Sequence, residues 1–180
     1  MGGDAQVYNS VEVCMQHVPD FAMAIYPITW SDYCEFLQSL ADDSLNNAKE
    51  KLPTIPNQRV ARGINEDPNE WRISAEGKVV YGKPEEDKHH HWPIFKVTYL
   101  DALDYCAWRS QKDGRTYRLP TDQEWEKAAR GVDSRIFPWG SRFDASFCSN
   151  SNSLNGPAQP EAVGTYSTDC SPYGVRDMAG

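Results

Sequence analysis

Apolar residues recur along this chain in two rhythms, and each rhythm predicts an element. In "TWSDYCEFLQSL", Tyr33, Phe36, Leu37 and Leu40 fall at i, i+3, i+4 and i+7, the spacing of one helix face, and Thr29 precedes them as an N-cap. "TYLDALDYCAWRSQ" predicts a second amphipathic helix, capped by Thr98. The two helix starts, "PITWSDYC" and "KVTYLDALDYC", share a threonine, an aromatic residue and an aspartate, a capping solution used twice rather than a repeat. A third helix is fully punctuated in "YRLPTDQEWEKAARG", residues 117–131. Thr121 is the N-cap and Glu124 closes a capping box. Asp122 and Glu124 lie at the positive end, Lys127 and Arg130 at the negative end, and Gly131 stops the helix. Trp125, Ala128 and Ala129 share a face, which predicts a buried Trp125.

The other rhythm is β-like. "DFAMAIYPITW" (20–30) and "WPIFKV" read as strands, and "EWRISAEGKVVYG" (70–82) reads as a hairpin turning at Ala75–Gly77. Residues 41–70 are polar and broken by Pro53, Pro56 and Pro68, which predicts an irregular excursion. From Val132 to Gly180, Gly, Pro, Asn and Ser recur throughout and predict a long loop region. The sum is one α+β domain over residues 1–180 with a long loop region.

Composition narrows the function classes. A formal charge of −8 argues against nucleic-acid binding, which needs basic patches. No apolar run approaches membrane-spanning length, and the first residues carry no signal-peptide pattern. Six Trp and nine Tyr predict aromatic packing with polar tips that need partners. The five cysteines form no CxxC pair, and their odd count and irregular spacing predict reduced thiols in the cytoplasm. Cys34 and Cys106, beside Tyr33 and Tyr105, read as small apolar groups on helices. A Cys148–Cys170 bridge is the open alternative.

Candidate chemistry is sparse. His89–His91 are adjacent, so on an extended segment they point to opposite faces and read as a solvated loop. "FCSNSNSLNG" (147–156) offers amide and carbonyl oxygens of the kind calcium takes, without the alternating acids of an EF-hand. A set of Asx-turns satisfying the loop's own backbone is the competing reading. No phosphate-cradling glycine loop, GxSxG elbow, HExxH helix or paired-carboxylate signature is present.

Taken in order, "YPITWSDYCEFL", "KVTYLDALDYCAWRS", "GRTYRLPTDQEWEKAARG", "FPWG", "EAVGTY" and "SPYGVRDMAG" resemble the formylglycine-generating enzyme, or sulfatase-modifying factor, superfamily. The resemblance runs from about Phe21 to Gly180, interrupted from Asp42 to Lys88. It implies a C-type-lectin-like variant fold with little regular secondary structure, in which the 121–130 helix anchors ordered loops, with Trp125 and Trp139 as core aromatics. It also implies a choice of functions. Some members use copper and oxygen to oxidise a sulfatase cysteine to formylglycine, some form sulfur–carbon bonds on iron, and others only bind ligands or proteins. "AWRSQKDGRTYRLPT", "ARGVDSRIFPWG" and "SPYGVRDMAG" are most similar to domains fused behind bacterial serine/threonine kinases, and no kinase motif is present here.

In the oxidising members the copper-binding cysteine pair follows the DMAG motif, and this sequence stops at Gly180. The resemblance therefore implies a domain truncated at its C-terminus, with copper held only where a further segment carries that pair. No catalytic residue carries over. Calcium sites carry over in part, to Asn150 and Asn155 in the first site and to Asp177 and the Gly180 carbonyl in the second. The expected function is a non-catalytic module that binds a peptide or small ligand, possible attachment to a serine/threonine kinase included. The alternative is a fragment of the sulfatase-cysteine oxidase or of the iron-dependent sulfur–carbon oxygenase.

Overall fold

A computed structural model describes residues 14–53, 71–74, 76–81, 90–150, 153 and 160–179. The chain divides into two compact units, a helix unit over Ile28–Leu119 and a loop unit formed by Met1–Pro27 with Pro120–Gly180.

The helix unit is built on α1 (Trp30–Asp43), α2 (Leu45–Glu50), a two-stranded sheet of β1 (Trp71–Ile73) and β2 (Val79–Tyr81), and α3 (Tyr99–Asp113). Both long helices start as the pattern predicts. The Thr29 hydroxyl accepts the Asp32 amide while Asp32 accepts the Thr29 amide at 2.9 Å, and Thr98 and Asp101 repeat this at 3.0 Å. Each box satisfies helix-end N–H groups and sets a carboxylate at the positive end of the dipole.

The predicted face of α1 carries the core. Tyr33, Phe36 and Leu37 are buried with Trp30 and, from α3, Tyr105. Tyr33 stacks on Tyr105 with centroids 6.0 Å apart, and Phe36 meets the same ring edge-on at 5.8 Å. The hairpin forms, with Trp71 opposite Tyr81 and Ile73 opposite Val79. Gly77, at φ +78°, turns it with its N–H donating to the Ser74 carbonyl.

Two expectations change here. Residues 20–30 and "WPIFKV" are not strands. They meet in a single antiparallel bridge, Thr29 to Pro93, flanked by bonds from Ile94 N–H to the Ile28 carbonyl and from Trp30 N–H to the Trp92 carbonyl. Pro27 and Pro93 have no N–H to extend a ladder, and α1 begins one residue after the bridge. The polar excursion from residue 41 is helical to Glu50, with a break only at the extended Ser44. Ala48, fully buried, seats that second helix. Residues 54–70 lie outside the described residues.

The loop unit holds α4 (Asp122–Arg130) and a 3₁₀ turn at Ala145–Phe147. The Thr121–Glu124 capping box and the Gly131 stop are both present. The buried side of α4 is Glu124, Ala128 and Ala129, while Trp125 is 47 % exposed. The expectation of a buried Trp125 is therefore wrong. Two alanines let the surrounding chain close on the helix backbone, and the indole one turn earlier stays at the surface. Trp139 is only half-buried. It stacks on Phe137 at 5.2 Å and meets Phe147 edge-on, and its indole N–H donates to the Arg142 carbonyl at 2.9 Å. Among the described residues no helix is long and apolar enough to cross a membrane.

Candidate functional site

The DMAG motif ends a tight reversal in the loop unit. Residues 169–171 and 175–177 face each other, joined by a Cys170–Arg176 bridge and a bond from Ser171 N–H to the Val175 carbonyl. Gly174, at φ +83°, makes the turn, and the Ser171 hydroxyl accepts the Tyr173 and Val175 amides. This is the local chemistry of "SPYG", proline and glycine in a turn with a serine closing it. Asp177 then adopts φ +56°, a left-handed conformation that aspartate tolerates better than most residues.

That turn of the backbone sends the Met178 and Ala179 amides back onto Asp169. Its carboxylate accepts them at 3.4 Å and 3.2 Å, and Asp169 is 1 % exposed. Asp177 in turn accepts the Gly164 amide at 2.6 Å. Burial pushes both carboxyls above their ordinary range, and for Asp169 the Asp177 charge adds to it while the two amides oppose it. A pair of partly desolvated carboxylates beside a backbone turn is a hard-oxygen donor set.

The structure places the expected calcium residues unevenly. Asn150 and Asp177 are both described, and Asn155 and Gly180 lie outside the described residues. The Asn150 side-chain nitrogen donates to the Ala145 and Cys148 carbonyls at 2.9 Å and 3.0 Å, and its backbone N–H donates to the Ser153 hydroxyl. These bonds are made within its own loop. A carboxylate has about four lone-pair sites, and on Asp177 the Gly164 amide takes one of them. Asp169 was missed by sequence reasoning. "STDCSPYG" looks like turn punctuation, and nothing local marks one of its polar residues as buried.

The other donors do not gather. Among the described residues no three His, Cys, Asp or Glu side chains form a group that could hold a metal ion. His90 and His91 are exposed, and His89 lies outside the described residues. Cys148 and Cys170 are both free thiols, so no bridge joins them. The Cys148 sulfur accepts the Asn150 side-chain amide, whereas the Cys170 thiol faces the Ser171 carbonyl at 3.7 Å. On the helices, burial pushes the Cys34 thiol up to about 11 and raises that of Cys106 as well. These half-buried thiols behave as the small apolar groups expected.

Comparison with known proteins adds the lineage. The family model described as "Sulfatase-modifying factor enzyme 1-like domain" matches residues 1–180. The chain is 48 % identical over 147 residues to the Mus musculus protein named "Inactive C-alpha-formylglycine-generating enzyme 2", covering 70 % of this chain and 42 % of that one. Its Bos taurus counterpart is 29 % identical over 151 residues, covering 70 % and 43 %. The Mycolicibacterium smegmatis "Hercynine oxygenase" is 30 % identical over 168 residues, covering 91 % of this chain and 36 % of that protein. The chain thus spans about two fifths of the length of these curated relatives.

Proposed function

We propose a function from one premise: this chain belongs to the sulfatase-modifying factor enzyme 1-like family. Within that family it acts as a binding or regulatory module that takes a peptide or small ligand without oxidising it. The observation that carries this reading is the similarity to two relatives named as inactive, one of them 48 % identical over 147 residues. Copper chemistry of the family's kind needs paired soft sulfur ligands, and within this chain Cys148 and Cys170 are turned to different partners.

A second reading is favoured by the similarity to hercynine oxygenase, which extends over most of this chain. On that reading these residues are part of an oxygenase whose iron-holding residues lie outside the described ones. One experiment separates the two. The chain is incubated with oxygen and either Cu(I) and a sulfatase-cysteine peptide, or Fe(II), hercynine and a thiol, and the products are read by mass spectrometry. The module reading expects neither aldehyde nor sulfoxide; either product overturns it.

Three finer features belong to the proposal. The fold is the C-type-lectin-like variant, supported by the short sheet and the long ordered loops. The domain works in a reducing cytoplasm, supported by the free thiols of Cys34, Cys106, Cys148 and Cys170, and in a bacterium beside an attached kinase, supported by the motif wording alone. Calcium binds at the DMAG turn, supported by Asp177 and the buried Asp169. Bound to the native state alone, it raises the melting temperature as calcium rises, and magnesium does less. A flat calcium titration, or one unchanged by Asp177→Ala, removes the site.

A further inference from the structure

The helix unit has a groove of about 570 Å³ between α1 and α3, lined by Glu35, Gln38, Ser39, Asp42, Trp108, Gln111 and Lys112. Its occupant at present is one of its own side chains. The Lys112 ammonium lies 5.1 Å from the centre of the Trp108 ring and is ion-paired with Glu35. An aromatic face together with a carboxylate is the combination that holds a primary ammonium group. The remaining walls are set rather than loose. The Gln38 amide is fixed by the Gly77 carbonyl, the Val79 amide and the Asp42 carboxylate. Trp108 is held from behind by Phe36 and Tyr105 at 5.5 Å and 5.6 Å.

We propose that this groove is a docking site for a lysine side chain on an extended segment of a partner protein, and that Lys112 is its internal stand-in. Charge complementarity selects the occupant. When Lys112 swings into solvent, the groove keeps two carboxylates, Glu35 and Asp42, beside an aromatic face, on a chain of formal charge −8. Displacement is undemanding, because the Lys112 and Glu35 side chains are 39 % and 52 % exposed and such surface pairs are weak. Arg109 keeps its Nε on Asp113 at 2.7 Å and its Nη1 3.8 Å from Glu35 Oε2, so it remains a second, more distant cation on Glu35 when Lys112 leaves. The proposal deepens the binding-module reading and rests on it.

The test uses the whole chain and a short labelled glycine–serine peptide with interspersed lysines, read by fluorescence anisotropy. A twin peptide carries acetyl-lysine at the same positions. A self-occupied groove makes an unusual demand: removing a residue that lines it must improve binding. Lys112→Ala tightens the lysine peptide roughly fivefold to tenfold, while Glu35→Gln weakens it by a similar factor. Lys49→Ala, on the exposed surface of the same unit, changes net charge equally and serves as the control for general attraction. Tightening by Lys112→Ala well beyond Lys49→Ala, lost with the acetylated twin, supports the site. Equal effects of the two lysine variants, or equal affinity for the twin, overturn it. Anisotropy is independent of turnover, so product formation in the oxygen assays sinks the module reading without deciding the groove.

Discussion

The Asp177 amide donates to the Asp169 carbonyl at 3.2 Å, and the chain beyond Asp177 folds back onto the Asp169 carboxylate. One buried side chain therefore shapes the whole DMAG turn. Asp169→Ala leaves the Met178 and Ala179 amides without that acceptor, and a stability loss of about 1–3 kcal/mol is expected. Asp169→Asn keeps one acceptor oxygen and loses less. Urea melts of both variants check this; equal losses would mean that the acceptor oxygen and the bulk kept by asparagine contribute nothing at this position.

α4 gives an inverted expectation for its most conspicuous residue. With Trp125 about half exposed, Trp125→Ala is expected to cost roughly 1 kcal/mol or less, well under the 3–5 kcal/mol of a buried aromatic. Thr121→Ala, which breaks the capping box, costs about 0.5–2 kcal/mol. Denaturant midpoints that rank Trp125→Ala as the more damaging variant would place the indole in the core after all.

The legibility of the chain follows from the range of its interactions. Thr29, Thr98 and Thr121 announce their helices because a cap is settled within three residues, and all three close into full capping boxes. The core face of α1 is equally readable from its spacing. Trp125 and Asp169 are not, for opposite versions of one reason. Burial depends on what arrives from elsewhere in the chain, so local pattern points an apolar residue inward and an acidic one outward. The two strand assignments failed because β structure needs a partner with free N–H groups, which Pro27 and Pro93 deny. The family resemblance supplied what local physics could not, namely that a loop-rich second half still folds.

In the helix core, Tyr33 gives a clean single-atom test. Its hydroxyl donates to the Lys51 carbonyl at 3.0 Å from a fully buried ring. Tyr33→Phe should lose roughly 0.5–1.5 kcal/mol, whereas Phe36→Ala, which empties the contact with Tyr105 and Trp108, should lose about 3–5 kcal/mol. A Tyr33→Phe variant as stable as the parent would show that water satisfies the Lys51 carbonyl equally well.

Asp101 makes stability depend on acid. Burial alone pushes its carboxyl up, but the Thr98 hydroxyl and amide and the Lys51 ammonium at 3.1 Å outweigh that, leaving it below its ordinary value. A lowered folded-state value means a contribution that is present above the unfolded carboxylate value of about 3.9 and is lost as pH falls through the folded one. Asp101→Asn should therefore cost stability at neutral pH, about 1–3 kcal/mol, by weakening both the cap and the ion pair. The gap from the parent should close in acid. A gap that stays constant down to the acid limit would remove Asp101 as its source.

The division of the chain also sets an order of events during synthesis. The helix unit is one continuous stretch, but the loop unit needs both ends of the chain. Lys127 donates to the Val18 carbonyl across 109 positions, and the Arg176 amide donates to the Ile25 carbonyl. A chain emerging N-terminus first completes Ile28–Leu119 while residues 14–27 still wait for partners. At about 5–20 residues per second, that wait is on the order of ten seconds. During that wait the Val18 and Ile25 carbonyls lack the Lys127 and Arg176 donors that tie this end into the loop unit.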